Sequence, residues 1–397
     1  MKRKQIIRCV LTITILFITV AVPVAFGQGV LTPPGAPAPT MKTLTQVEPR
    51  TPISSAPYTI SSPGSYYLTT NLVGTSASNG IAVASSHVVL DMEGFALTGV
   101  PGSYSGIFIY ATCTNVTVRN GSINGWGQSG VYSFGPGVLL EHLNASANAG
   151  YGLSTASGST VRDCTSVGNG NSGIYTASGT VVSGCVASRN ATYGIYASDS
   201  TVANCQTDGN TAAGIYAYYS TVENCQVQTN GQYGIWVQHG TLRGCLSCNN
   251  SMSGILAYWS SVFNCEAQYN AASGIYAEYS TVSDCHSINN TQSGIYVNNP
   301  GCQIIGNASY NDNSSANANH AGIYVNDANN RIEANHVVAA SHAGIQVAST
   351  YSGNVVIRNT VCGSGSNYIT NSQSAYGPII TASGTITNLN PWANFSY

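Results

Sequence analysis

Gly214-Ile215-Tyr216-Ala217, followed by Ser220-Thr221-Val222-Glu223-Asn224-Cys225 and then by Val227 and Asn230, is one copy of a unit that repeats through residues 173–297. Cys164, Cys185, Cys205, Cys225, Cys245, Cys265 and Cys285 recur at an interval that changes by one position at its first step and then stays constant. The fifth residue after each is Asn: Asn169, Asn190, Asn210, Asn230, Asn250, Asn270 and Asn290. Short β-type runs at a fixed period near 20 mark a solenoid, in which each repeat is one coil that buries its apolar side only against its neighbours.

Within a coil, Gly-Ile-Tyr-Ala, Ser-Thr-Val and Cys-x-Val-x are too short for helices, rich in β-formers, and separated by Gly, Ser and Asn. They predict three strands per turn. Period-2 alternation sends Ile215 and Ala217 inward and Tyr216 outward, with Val222, Cys225 and Val227 inward on the other two sides. Stacked coils then form parallel strands, and the usual chirality of parallel crossovers makes the winding right-handed. The predicted fold is all-β, a single-stranded right-handed parallel β-helix.

Counting Gly followed by an aliphatic residue from Gly80 to Gly344 gives 13 coils. At ~4.8 Å each they span roughly 60 Å. The interval shortens along the chain, from Gly80–Gly106 at the start to Gly274–Gly294, and then lengthens abruptly between Gly294 and Gly322, which predicts a protruding loop over the polar run Asn311 to Asn319. The boundaries that follow are a signal peptide at 1–27, a Pro-rich linker at 28–43, an N-terminal cap at 44–79, the β-helix at 80–362 and a C-terminal cap at 363–397 containing Trp392 and Phe395. Lys2, Arg3, Lys4 and Arg8 precede an uncharged run from Cys9 to Phe26, and Ala25-Phe26-Gly27 suits cleavage, so export to the periplasm, cell surface or medium is expected. An uncleaved anchor is the competing reading of that run.

The repeat, together with the entry run Ile81-Ala82-Val83 and Val88-Val89-Leu90-Asp91-Met92-Glu93-Gly94-Phe95, resembles the secreted right-handed β-helix proteins of the pectate-lyase-like superfamily, in the group that includes NosD-type periplasmic proteins. The resemblance implies the fold strongly. For function it implies only a range, since that superfamily holds lyases, hydrolases, epimerases and adhesins.

Only 26 of 397 residues carry a formal charge and the net charge is −2. Such a surface attracts neither nucleic acid nor an acidic membrane, and its Tyr, Asn, Ser and Thr suit a neutral polar partner such as a sugar. The outward row after each coil-starting aliphatic residue is mostly aromatic. Tyr175, Tyr196, Tyr216, Trp236, Tyr276, Tyr296 and Tyr324 are its candidate substrate-binding members. Aromatic faces match the apolar faces of pyranose rings, so the row could hold an extended polysaccharide or cell-surface glycan. It could equally stiffen the stack by pairwise contacts, and the residues alone leave both open.

The Asn and Cys rows need no ligand. Asn tolerates left-handed turns and its amide both donates and accepts, while Cys is read as a small buried hydrophobe. Stacked Cys are expected to stay free thiols, because their parallel Cβ vectors lie beyond the ~3.5 to 4.5 Å of a disulfide. Catalytic residues are not legible. Glu223 and Arg243 should pair across coils, Glu266 and His286 should be neighbours, and Asp163 and Asp284 lie too far apart to cooperate. His320 and His342, beside Asp312 and His336, should stack in successive coils and could hold zinc or copper. No full ligand set is visible, so no metal or cofactor is expected. Binding by a monomer without turnover is the first expectation; a polysaccharide lyase or glycoside hydrolase on the same face, and a structural or adhesive rod, are the alternatives.

Overall fold

The computed structural model describes residues 48–315, 317–381 and 387–397. The expected signal peptide and Pro-rich linker, with residues 44–47 of the expected N-terminal cap, lie outside the described residues. The chain divides into Met1–Pro49 and Arg50–Tyr397, and the second unit is a parallel β-solenoid without a helix among its described residues. A regular coil has three strands, as in Ile215–Tyr218, Thr221–Glu223 and Gln226–Gln228. They form three faces. The first is a sheet of 15 strands, and the second and third together contribute 30. Neighbouring coils pair in parallel and in register, Ile195 to Tyr196 against Ile215 to Tyr216 and Val202 against Val222. Ile215, Ala217, Val222, Cys225 and Val227 are all buried, as the alternation requires.

The first sheet extends by one coil at each end beyond those counted from sequence. Tyr58–Ile60 pairs with Ile81–Val83 at one end, and Ser366–Ile369 pairs with Ala343–Val347 at the other. Both strands lack the Gly-aliphatic start that was counted, yet they satisfy the same hydrogen-bond ladder. Fifteen strands at ~4.8 Å make a stack of about 70 Å.

The three corners share one device. Each corner has a residue at positive φ, followed by a side chain that accepts a hydrogen bond from the backbone N–H of the equivalent residue one coil earlier. At the Asn corner the Asn190 N–H donates to Asn210 Oδ1 at 3.0 Å, and Asn190 Nδ2 donates to the same oxygen at 3.0 Å. At the Ser corner the Ser200 N–H donates to Ser220 Oγ at 3.0 Å, and at the Cys corner the Cys225 N–H donates to Cys245 Sγ at 3.4 Å. A buried N–H without such a partner would cost about as much as a lost hydrogen bond. The residue types therefore interchange within a column. Cys285 is followed by Asn307, Asn335 and Asn359, and Ser280 by Cys302 and Asn330.

Two sequence readings change here. The ladder Asn residues are not the left-handed ones; the residue in front of each is, as at Arg189, Thr229 and Tyr269. The Asn is required for its amide. The Cys row is likewise more than apolar filling, since its sulfurs take part in the corner bonds. All eleven described cysteines are free thiols. Burial pushes the Cys302 thiol up to about 11, which keeps it protonated and inert.

The coil-starting Gly is explained by space. A Cβ on Gly234 would lie 1.9 Å from Ser247 Oγ and 2.6 Å from Asn250 Nδ2. The expected loop also shrinks. Asp312 and Asn313 are buried, so the protrusion begins after them. Asp312 stands in the Asn column and ends it, accepting from Asn290 N at 2.8 Å, from Asn290 Nδ2 at 2.9 Å and, on its other oxygen, from Ser309 Oγ at 2.7 Å.

Candidate functional site

The outer side of the first face carries the aromatic row. Tyr175, Tyr196 and Tyr216 stack with centroids 4.8 and 5.1 Å apart and planes within 20°. Trp236 meets Tyr216 edge-on at 4.9 Å. Leu256 interrupts the row, and Tyr276 and Tyr296 resume it at 4.9 Å and 13°. The rings are half-buried, since Tyr193 and Tyr233 pack alongside at 5.3 to 5.9 Å. Tyr324 departs from the outward reading. It is only 5% exposed, enclosed with Ala321 and Ala343, so its ring has little surface to offer.

Burial raises the phenol pKa values of Tyr196, Tyr216, Tyr276 and Tyr296, so these groups are donors at neutral pH. The Tyr216 hydroxyl donates to Gln238 Oε1 at 2.9 Å. The Trp236 indole N–H is buried without a hydrogen-bond partner. Stacking turns much of the ring faces toward each other, which leaves mainly edges and hydroxyls toward the outside.

A second set of aromatics on this side was not singled out from sequence. Tyr218 and Tyr258 occupy the last position of their strands, on either side of Gln238. Beside them, at the Ser corner, stand Tyr219, His239, Trp259 and Tyr279. Their centroid spacings are 4.8, 6.4 and 4.3 Å and their planes agree within 12°. Tyr219 and Trp259 are about half exposed, at 51% and 50%. The signal was present as an aromatic or His once per coil, but a residue just before Ser reads as one more β-surface position until its φ is known.

The candidate acid–base groups lie elsewhere, on the second and third faces. Arg243 Nε donates to Glu223 Oε2 at 2.7 Å, as their register predicts. Glu266 and His286 are register partners and line a pocket of about 220 Å³ with Asn264, Cys265 and Asp284. Asp163 and Asp284 sit at positive φ, as turn residues.

The sequence did not reveal a ladder of alternating charge in the early coils. Asp91 takes a 2.8 Å bond from Arg119, and Glu141 lies between Arg119 and Arg162. Burial would raise the Asp91 carboxyl, but bonds from the Glu93 N–H, Asn120 and Arg119 outweigh it and hold the group below its ordinary value. The long coils there, 28 residues from Asp91 to Arg119 but 21 from Glu141 to Arg162, hid the register. These acids neutralise arginines.

The pair His320 and His342, weighed with Asp312 and His336 as possible ligands, is not joined to Asp312. The Asp312 carboxylate is turned into the Asn column, while His320 Nδ1 lies 3.3 Å from Ser293 Oγ and its ring lies near Tyr296 and Tyr324. Among the described residues no group of three or more His, Cys, Asp and Glu is placed to hold a metal ion. No helix among them is long and apolar enough to cross a membrane.

A family model described as right handed beta helix region matches residues 60–201 and 196–314, more than half of the chain. The chain belongs to this right-handed β-helix family. No curated protein matches the sequence. This β-helix is similar to the Azotobacter vinelandii mannuronan C-5 epimerase AlgE4 A-module, at 16% identity over 79% of this chain and 91% of that one, with a TM-score of 0.38. It is similar also to the periplasmic alginate epimerase AlgG, at 15% identity over 84% and 78%, TM-score 0.35. A third similar structure is the Siphovirus 9NA tailspike receptor binding domain, at 10% identity over 82% and 74%, TM-score 0.39. Likeness at these levels concerns the fold alone.

Proposed function

We propose that this β-helix is exported and binds an extended neutral polysaccharide or cell-surface glycan along its first face. One observation carries the reading: aromatic side chains are gathered on that face over many consecutive coils. Between Thr201 and Ser283 the second face instead presents Thr, Ser, Ala, Glu and Arg, with Phe263 its one aromatic. Stiffening a stack needs no such segregation, because every face stacks in the same way. Tyr175, Tyr196, Tyr216, Trp236, Tyr276 and Tyr296 are the proposed contacts of the row, with Tyr324 a support behind it. The leader-like residues 1–27 support export.

Binding without turnover is favoured over a lyase or hydrolase by the acids. In the strands of the first face from Ile195 to Asn298, Glu278 is the one carboxylate, and it accepts a 2.9 Å bond from Asn299. Two-carboxylate glycoside hydrolysis needs a partner acid across the bond. A glycan array on the secreted protein, followed by product analysis of each hit, tests the reading. Retention of a neutral polysaccharide without new products is expected. Products would make it an enzyme, and an empty array would leave a structural rod.

A further inference from the structure

We propose that the corner column Tyr219, His239, Trp259 and Tyr279, with Tyr218 and Tyr258 at its foot, is the subsite that grips the polysaccharide; this rests on the glycan-binding reading of the same face. The first ground is backbone conformation. This corner is left-handed in every regular coil, and on either side of the column it is occupied by Gly158, Gly179 and Asp199 before and Asn299 after. Gly, Asp and Asn take positive φ at little cost. Of the four residues between them, Tyr219, Trp259 and Tyr279 hold φ at 48, 51 and 49° with bulky rings, while His239, at 52°, is of a type that takes this conformation more readily. Bulky residues there are outliers. At the other two corners such residues do not come in runs of aromatics; Arg189, Thr229 and Tyr269 alternate with Gly209 and Asn249.

The second ground is that three of the four rings gain little burial in return, Tyr279 alone being half-buried. Tyr219 is 51% exposed and Trp259 50%. Stacking offsets part of the strain, but a column of Gly or Asn holds the same turn without incurring it, as the flanking coils show. Strain kept at an exposed position, in a run, points to a use outside the fold.

The third ground is geometry. The column's rings lie nearly parallel along the stack, so their edges face outward. Tyr218 meets Tyr219 at 76° and Tyr258 meets Trp259 at 88°, so the planes of Tyr218 and Tyr258 run along the solenoid. The result is a floor of two rings separated by Gln238 and a wall of stacked edges. A sugar lying on the floor presents its apolar ring face to Tyr218 or Tyr258 and its hydroxyls to the polar tips of the wall and the Gln238 amide. Four coils at ~4.8 Å spacing give the wall about 15 Å, the scale of a short oligosaccharide.

The test uses the residue that the flanking coils already carry. Tyr219→Asn and Trp259→Asn, singly and together, are compared with the unaltered chain by affinity electrophoresis in gels containing β-glucan, xylan or galactomannan, and by thermal melts. Each single change should weaken retention by about tenfold, on the scale of one lost stacking contact, while the melting temperature stays level or rises. Retention of the variants equal to that of the unaltered chain overturns this subsite but leaves binding elsewhere on the face. Weak retention joined to a melting temperature lowered by several degrees makes the column a structural clamp and also overturns it. An unaltered chain that none of the gels retards removes the binding reading itself.

Discussion

Two columns of stacked side chains run along this molecule, and they obey different rules. The Asn column from Asn169 to Asn290 is buried and does not vary in seven consecutive coils. The corner column is exposed from Gly158 to Trp259 and half-buried at Tyr279 and Asn299, and it passes through Gly, Asp, Tyr, His, Trp and Asn. Both occupy the same kind of corner. A paired hydrogen bond makes the first column uniform, because each Asn accepts from both a backbone N–H and a side-chain amide of its neighbour, whereas the equally buried Ser and Cys columns accept one N–H and interchange. Exposure frees the second, so its occupants reflect something other than the integrity of the coil. A repeat protein thus separates its requirements by column, the inward positions holding the stack and the outward ones free to vary.

The largest effect is expected inside. Asn230 Oδ1 accepts from both Asn210 N and Asn210 Nδ2, and Asn230 Nδ2 donates to Asn250 and to Gln228 O. Asn230→Ala leaves two buried donors of Asn210 unsatisfied at about 1 to 3 kcal/mol each and should destabilise by about 4 kcal/mol in total. Denaturant midpoints measure this, and a loss under about 1 kcal/mol would break the rule that the column is held by its amides.

Asp312 sharpens the same contrast, as a carboxylate inside a column of neutral amides. Burial pushes its carboxyl up to about 6, although Asn290 and Ser309 donate to it and pull the other way. The unfolded Asp ionises near its ordinary value and the folded one higher, so the folded state binds the extra proton between about pH 4 and 6 and stability falls as pH rises through that window. Asp312→Asn restores an amide in the arrangement of Asn290, whose Nδ2 meets Ser287 Oγ at 2.9 Å. It should stabilise by about 3 kcal/mol at pH 7 and remove this part of the pH dependence. Melts at pH 4.5 and pH 7 would refute this if the variant gained nothing at the higher pH.

Interchange within a corner gives a smaller effect. Cys245→Ser keeps an acceptor for the Cys225 N–H in a role that Ser220 already performs, and should cost about 1 to 2 kcal/mol without exposing the core. The smallest effect is expected outside. Trp259→Asn should change stability by less than about 1 kcal/mol, since lost stacking and relieved strain oppose each other.

Much of this was legible because the period is so regular. Ile215, Val222, Cys225 and Asn230 have counterparts at the same place in each neighbouring coil, which fixed the three strands, their inward faces and the register that pairs Glu223 with Arg243. What was missed lay where sequence carries conformation only indirectly. Tyr219 and Trp259 were not singled out, because their positive φ cannot be read from residue type. Asp312 looked like loop because it stands among Asn and Ser, although its spacing places it in the ladder. Glu141 and its arginines were hidden by coils of unequal length, and the terminal coils by starts at Tyr58 and Ser366 in place of Gly-Ile. Tyr324 has an outward position by alternation, yet Ala321 and Ala343 enclose it.

Hydroxyl-radical footprinting with a retained neutral polysaccharide asks most directly whether the aromatic face is the contact surface. Trp259, at 50% exposed, and Trp392, at 46%, start almost equally open to oxidation, and Trp392 lies in the C-terminal segment, away from the corner column. Protection of Trp259 and Tyr219 on saturation, with Trp392 unchanged, is the predicted result. Protection of Trp392 with Trp259 still fully oxidised would contradict the assignment of binding to this face.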